Sequence, residues 1–248
     1  PSRLKGLSPG DVQRINLSKG HHTINLGDVF DIAGTAEDGD IVFEGGSARF
    51  DNVAVGLDAG SITVEGDVGH YAGHKMTAGR LVIKGNARHH LGSSMQDGLI
   101  HVTGNVADRV GAPSPGVRDG MAGGAIIIDG TAGDHCGERQ RRGLIIAKGK
   151  VGKCAGGRML GGTIWGLSGF GACLGIQMRR GTILTPTLET PLSTFVDCGP
   201  QNLGILTIMS RHYGKLLDSR APALPTGTVQ RFVGDIASIG RGEILVTG

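Results

Sequence analysis

Large aromatic side chains are scarce, with 6 Phe, 2 Tyr and 1 Trp making up 4 % of 248 residues. A globular domain of this length usually fills part of its centre with rings, so the scarcity suits a narrow interior lined by Ile, Val and Leu. Long apolar runs are missing too. Stretches such as Ala125 to Ile128 fall far short of the roughly 20 residues needed to cross a bilayer. Pro1 to Gly10 lacks the apolar stretch of a signal peptide, so the expected location is cytoplasmic, with no membrane contact. The 4 cysteines, Cys136, Cys154, Cys173 and Cys198, form no C-x-x-C and no zinc spacing with histidine. A disulfide framework is therefore not expected. Also absent are G-x-S-x-G, the P-loop and H-E-x-x-H. Gly166 to Gly171 imitates a dinucleotide fingerprint but is not followed by a strand-to-helix transition.

Glycine is abundant, at 46 residues against 9 prolines, and no Gly-X-Y period explains it. The glycines Gly60, Gly79, Gly98, Gly124, Gly143, Gly162 and Gly181 each open the phrase G-x-(I/L), extended to G-x-(I/L)-x-(V/I) in the first four, and are spaced 19, 19, 26, 19, 19 and 19 residues apart. The longer spacing contains an insertion within residues 112–120. A methionine recurs at Met76, Met95, Met159 and Met178, with Met121 delayed by the insertion and Gln140 replacing it once. A fixed period of this length marks stacked repeats.

Residues two and four past each opening glycine, such as Leu81 with Ile83 and Ile100 with Val102, alternate with mostly polar neighbours. That is the pattern of a short strand with one buried face. One such unit cannot bury its own apolar side, so units must stack. The predicted fold is all-β: a single-stranded parallel β-helix, or solenoid, of 19-residue glycine-rich coils. The expected divisions are an N-terminal cap at 1–38, the β-helix at 39–185, and a C-terminal wrapping segment with final strands at 186–248. Thr23 to Ile32 is strand-like; Gln201 to Leu217 has helical spacing; Thr228 to Val233 and Glu243 to Val246 read as a closing strand pair.

Charge is segregated along the chain. Asp28 to Asp67 holds ten acidic residues against Arg49 alone, whereas Asp134 to Arg180 holds nine basic against two acidic. Those nine are Arg139, Arg141, Arg142, Lys148, Lys150, Lys153, Arg158, Arg179 and Arg180. Like charges stacked on neighbouring coils repel unless an anion or acidic partner compensates, so this cluster is the candidate binding site for a polyanion. Its bland alternative is a solvated face. Nucleic acid is disfavoured because stacking platforms are few.

An outward column, Thr63, Val82, His101, Ile127, Ile146, Trp165, Leu184, turns apolar toward the C-terminus. Such a stripe must be covered, either by 186–217 of the same chain or by a partner touching Ile127, Ile146 and Trp165. His70 with His89, and His90 with His135, share neighbouring columns but mix with Asp108, Arg109, Asp134 and Lys153, as a solvated turn does, so no metal site is expected. Cys154 and Cys173 share a column beside that of Cys136, and buried packing is the simpler reading for small thiols. No catalytic residue is assigned.

The phrase G-x-I-x-V-x-G-(N/D)-(V/A) with G-x-x-M-x-x-G, repeated over Gly60 to Gly181, resembles the glycine-rich repeat domain shared by the large subunit of glutamate synthase and the C subunit of formylmethanofuran dehydrogenase. Leu26 to Gly34 and the tail with Phe195, Leu206 and Tyr213 favour the second of these, and the tail and the insertion look most like the bacterial C subunit of formyltransferase/hydrolase complexes. That resemblance implies a scaffold subunit. Its siblings would be an amidohydrolase-like subunit, a formyltransferase subunit and a further dehydrogenase-like subunit, in a hetero-oligomer moving a formyl group from tetrahydromethanopterin to a methanofuran-type carrier and then releasing formate. It further implies a polyglutamate tail on the carrier as ligand for the nine basic residues, with no cofactor held by this chain itself. The alternative setting is a structural module of a glutamate-synthase-like enzyme.

Overall fold

The computed structural model describes residues 4–19, 22–34, 39–217, 224 and 227–248. The chain is mostly β. Its order is α1 (Pro9–Gln13), β1 (Asn16–Lys19), β2 (His22–Asn25), β3 (Asp40–Phe43), β4 (Ser61–Val64), β5 (Arg80–Ile83), β6 (Leu99–Val102) and β7 (Ala125–Ile128). Then come β8 (Leu144–Ala147), β9 (Thr163–Gly166), β10 (Arg180–Thr185), β11 (Val196–Asn202), α2 (Gly204–Leu217), β12 (Thr228–Gly234) and β13 (Arg241–Val246).

From β3 to β10 every strand pairs in parallel with the next, with the same repeat position opposite itself: Ile62 faces Leu81, then Ile100, Ile126, Ile145, Ile164 and Ile183. A second parallel ladder of single bridges joins Val68, Ala87, Val106, Ala132, Val151 and Phe170. The chain thus returns to the same place after each unit. Parallel pairing needs a long crossover, which each unit's turns supply without a helix.

The corners explain the glycine spacing. At Gly156, φ is +66° and an added Cβ would lie 2.7 Å from Ile183 Cδ1, so both backbone and space demand glycine. The G-(N/D) step has its own physical reason: the side chain reaches the same position in the next unit. Asp67 Oδ1 accepts the Asn86 N–H at 2.7 Å, Asn86 Oδ1 the Asn105 N–H at 2.9 Å, and Asn105 Oδ1 the Thr131 N–H at 2.9 Å. Backbone donors at the bend are satisfied without a regular strand.

The interior is a file of aliphatics and methionines. Met76, Met95, Met121, Met159 and Met178 are all fully buried. Each full burial of such a side chain contributes roughly 1.5–3 kcal/mol. Gln140, equally buried in that file, donates from Nε2 to the carbonyls of Arg142 and Gly143 at 3.2 and 2.9 Å. At the N-terminal end the aliphatic file gives way to rings: Phe43 packs edge-on to Phe30 at 5.7 Å and to Phe50 at 5.0 Å.

The C-terminal segment contains the expected helix, α2, and the expected closing strands, β12 and β13. Within the strand-like stretch from Thr23, the strand stops at Asn25 and Leu26–Asp28 form a 3-10 turn, because Asp28 Oδ2 draws in the Asn25 N–H at 2.8 Å. Two strands, β1 and β11, lie outside the stretches expected from the sequence. β11 carries Pro200 and reads poorly as a strand, yet it pairs antiparallel with β12, where an edge position with a register shift tolerates proline. β13 lies parallel to β10, while β12 and β11 follow antiparallel, so the parallel run ends in a hairpin.

The apolar outward column is covered from within the chain. Ile127, Ile146 and Trp165, at 0, 0 and 5 % exposure, cluster with Leu206 of α2, Val229 of β12, Leu245 of β13 and Leu224. This corrects their assignment as partner-contact residues. A helix laid over the strands removes them from water, and a partner cannot reach them without displacing it.

Candidate functional site

The site is built on one corner of the repeat. Arg139, Arg158 and Gln177 occupy equivalent positions in three successive units, with φ of 53°, 54° and 57°. Left-handed backbone costs a non-glycine residue roughly 1–2 kcal/mol. The hydrogen bonds along the stack hold it: Arg139 N–H donates to the Gly157 carbonyl at 2.9 Å and Arg158 N–H to the Ile176 carbonyl at 2.8 Å.

Around this corner lies a cleft of about 390 Å³ whose wall includes Arg118, Arg139, Arg158 and Arg179. Three segments distant in sequence meet there. The insertion brings Arg118, whose carbonyl accepts from Arg139 Nη1 at 3.1 Å. The insertion is also clamped by Asp119, which pairs with Arg141 at 3.0 Å. The turn between β12 and β13 brings Ala237 and Ser238. Glu138, with a side chain only 13 % exposed, lies beneath, 3.2 Å from Arg109 and 3.5 Å from Arg158. Arg158 Nε donates to Gln177 Oε1 at 3.0 Å, so its fork is oriented before any ligand arrives.

The nine basic residues read from the sequence do not form one patch. Arg139, Arg158 and Arg179 line the cleft, and Arg141 sits in the column of Arg179, held by Asp119. Arg142 and Arg180 are exposed but outside the cleft wall. Lys148 follows a strand on another side, where its Nζ meets Asp129 at 2.7 Å and His101 Nε2 approaches the same carboxylate at 2.9 Å. Burial alone would raise the Asp129 carboxyl, but hydrogen bonds from Lys148 and His101 and then their charge hold it below the ordinary range. Lys150 and Lys153 are exposed at a different corner, the Lys153 N–H donating to Asp134 Oδ1 at 2.7 Å. Arg118 was missed because it lies in the insertion, outside the repeat register. The signal for it was an arginine beside an acid, Asp119, in the one segment that breaks the period.

The histidine columns stack as rings. His70 lies on His89 at 5.3 Å and Tyr71 on His90 at 4.7 Å, both within 9° of parallel. Burial first, then Arg109 and the neighbouring histidines, push His90 below its usual pKa. Among the described residues no group of three or more His, Cys, Asp or Glu is placed to hold a metal. No helix among them is long and apolar enough to cross a membrane.

Fold and cleft define a glycine-rich β repeat protein with an arginine-lined groove at its C-terminal end. No protein-family model matches the chain. Over 69 residues it is 45 % identical to the C subunit of the formyltransferase/hydrolase complex Fhc of Methylorubrum extorquens, a stretch covering 28 % of this chain and 26 % of that protein. A chain in the crystal structure of the formyltransferase/hydrolase complex FhcABCD from Methylorubrum extorquens, determined with methylofuran, superimposes with a TM-score of 0.85 at 36 % identity, over 99 % of this chain and 91 % of that one. The chain belongs to the C-subunit family of the formyltransferase/hydrolase complex.

Proposed function

We propose that this chain is a non-catalytic scaffold subunit of a cytoplasmic formyltransferase/hydrolase complex, and that its arginine cleft holds the polyglutamate tail of a methanofuran-type carrier. In this reading the formyl group passes from tetrahydromethanopterin to the carrier and leaves as formate. Amidohydrolase-like, formyltransferase and dehydrogenase-like siblings do the chemistry. The carrying observation is the convergence of Arg118, Arg139, Arg158 and Arg179 on one cleft. Guanidinium groups stay protonated and bind carboxylates through paired donors, so they suit holding an anion and not proton transfer. The presence of methylofuran in the similar complex supports the choice of ligand. Of the nine basic residues, Arg139, Arg158 and Arg179 face the tail; Arg141, Arg142 and Arg180 border its path, while Lys148, Lys150 and Lys153 stand further off and guide it electrostatically.

The same reading takes the stacked units as a single-stranded parallel β-helix, supported by the two in-register ladders. A rigid stack lets arginines of successive units meet carboxylates at fixed spacing along an extended tail.

The test is carrier kinetics in the assembled complex with Arg158→Ala and Arg179→Ala. Each hydrogen bond to a charged group contributes roughly 1.5–3 kcal/mol, so the double variant is expected to raise the carrier KM by at least about 100-fold with kcat nearly unchanged. An intact complex with unchanged carrier KM would overturn the proposal.

A further inference from the structure

Cys154 and Cys173 hold equivalent positions in consecutive units. Both have left-handed backbones, φ 56° and 60°, so their Cβ atoms leave the chain in the same sense. The Cys154 N–H donates to the Ala172 carbonyl at 2.9 Å, which ties the two bends one strand spacing apart. Neighbouring strands lie about 4.8 Å apart, inside the span that a disulfide bridges without moving the main chain. Both side chains are half-buried, whereas Cys136 is fully buried and Cys198, on β11, is exposed.

We propose that Cys154 and Cys173 are an oxidisable dithiol that closes an intramolecular disulfide by exchange with a small-molecule disulfide. One thiol gives up its proton and its sulfur attacks the oxidant's S–S bond, releasing one small thiolate. The second thiolate attacks the resulting mixed disulfide, forming the Cys154–Cys173 bond and releasing the other. The two small thiolates take up the two protons, so protein thiols are oxidised and the small disulfide is reduced. Burial first, then Cys173 and the nearby carboxylates of Asp134 and Glu138, hold the Cys154 thiol above its ordinary pKa. That keeps the pair reduced until a disulfide oxidant accumulates. The bond would staple the unit carrying Arg158 to the one carrying Gln177 and Arg179, three residues that line the arginine cleft.

The experiment treats the full chain with glutathione disulfide, blocks free thiols, digests with trypsin without reduction and weighs the peptides. Cys154 and Cys173 fall in separate tryptic peptides. The expected product joins them, two hydrogens lighter than the sum, while exposed Cys198 carries glutathione and reports that the oxidant acted. In Cys154→Ser the lone Cys173 is expected to carry glutathione instead, and the rise of several degrees in Tm that oxidation gives the unaltered chain should vanish. Two separately glutathionylated cysteines, or two reduced ones beside a modified Cys198, would overturn the proposal.

Discussion

Asp235 accepts the backbone N–H of Gln177 through Oδ2 at 2.8 Å, replacing the carbonyl that the following unit would have supplied. In the preceding units the same donor meets a main-chain oxygen, as Arg158 does at Ile176. Asp235 is itself buried, and its Oδ1 accepts from Ala237 N–H at 2.8 Å, so one carboxylate ends the stack and shapes the turn that walls the cleft.

Asp235→Ala strands the Gln177 donor and loosens that turn. Leaving a buried partner unsatisfied costs roughly 1–3 kcal/mol, so a Tm drop of several degrees is expected. Asp235→Asn keeps one acceptor oxygen and should recover part of the loss in the same thermal melt.

Glycines differ in what they tolerate. Gly156→Ala meets both a φ of +66° and Ile183 Cδ1 at 2.7 Å, whereas Gly116→Ala, in the insertion, meets the same backbone penalty with nothing within 4 Å. Urea titration should show Gly116→Ala losing roughly 1–2 kcal/mol, and Gly156→Ala losing more by the added overpacking cost of roughly 1–3 kcal/mol.

The single tryptophan reports on the helix that covers it. Leu206 is fully buried against Trp165 and its neighbours, and truncating such a leucine costs roughly 2–5 kcal/mol. Leu206→Ala should therefore red-shift Trp165 emission as α2 loosens from β9. Unshifted emission in a helix-destabilised variant would show that the cover comes from elsewhere.

Glu138 sits under the cleft and repels an arriving carboxylate while orienting Arg158. Glu138→Gln removes the negative charge but keeps an acceptor. Binding of a glutamate oligomer, measured by calorimetry at low salt, is expected to tighten several-fold, with a difference that shrinks as salt is added.

His90 titrates below its unfolded value, since burial and Arg109 disfavour the imidazolium. Between those two pKa values the unfolded chain binds more protons, so stability falls as pH drops through the unfolded pKa near 6.5. Asn tolerates the left-handed φ of 66° found here, which makes His90→Asn a fair probe. Its stability should vary less between pH 7 and pH 5 than that of the unaltered chain.

The period was legible because each unit must meet the same corners and the same buried file. Gly156, the Asp67–Asn86–Asn105 ladder and the methionines recur at intervals that chain geometry imposes, and the amphipathic spacing around Leu206 announced a helix. Contacts between segments far apart were not legible. β11 hides behind Pro200, because edge pairing depends on what lies beside a strand and not on its own residues.

The order of residues alone dictates parallel β units with an apolar file inside, a cationic C-terminal half, and an outward column that needs cover. What covers Ile127, Ile146 and Trp165, and which cations converge, follows from contacts between segments far apart in the chain. Nine basic residues separate into three cleft arginines and others on different sides because a corner and a strand end, a few residues apart in sequence, face different directions. Arg118 joins them because Asp119 and Arg141 clamp its out-of-register insertion against the corner, a contact that no repeat position encodes.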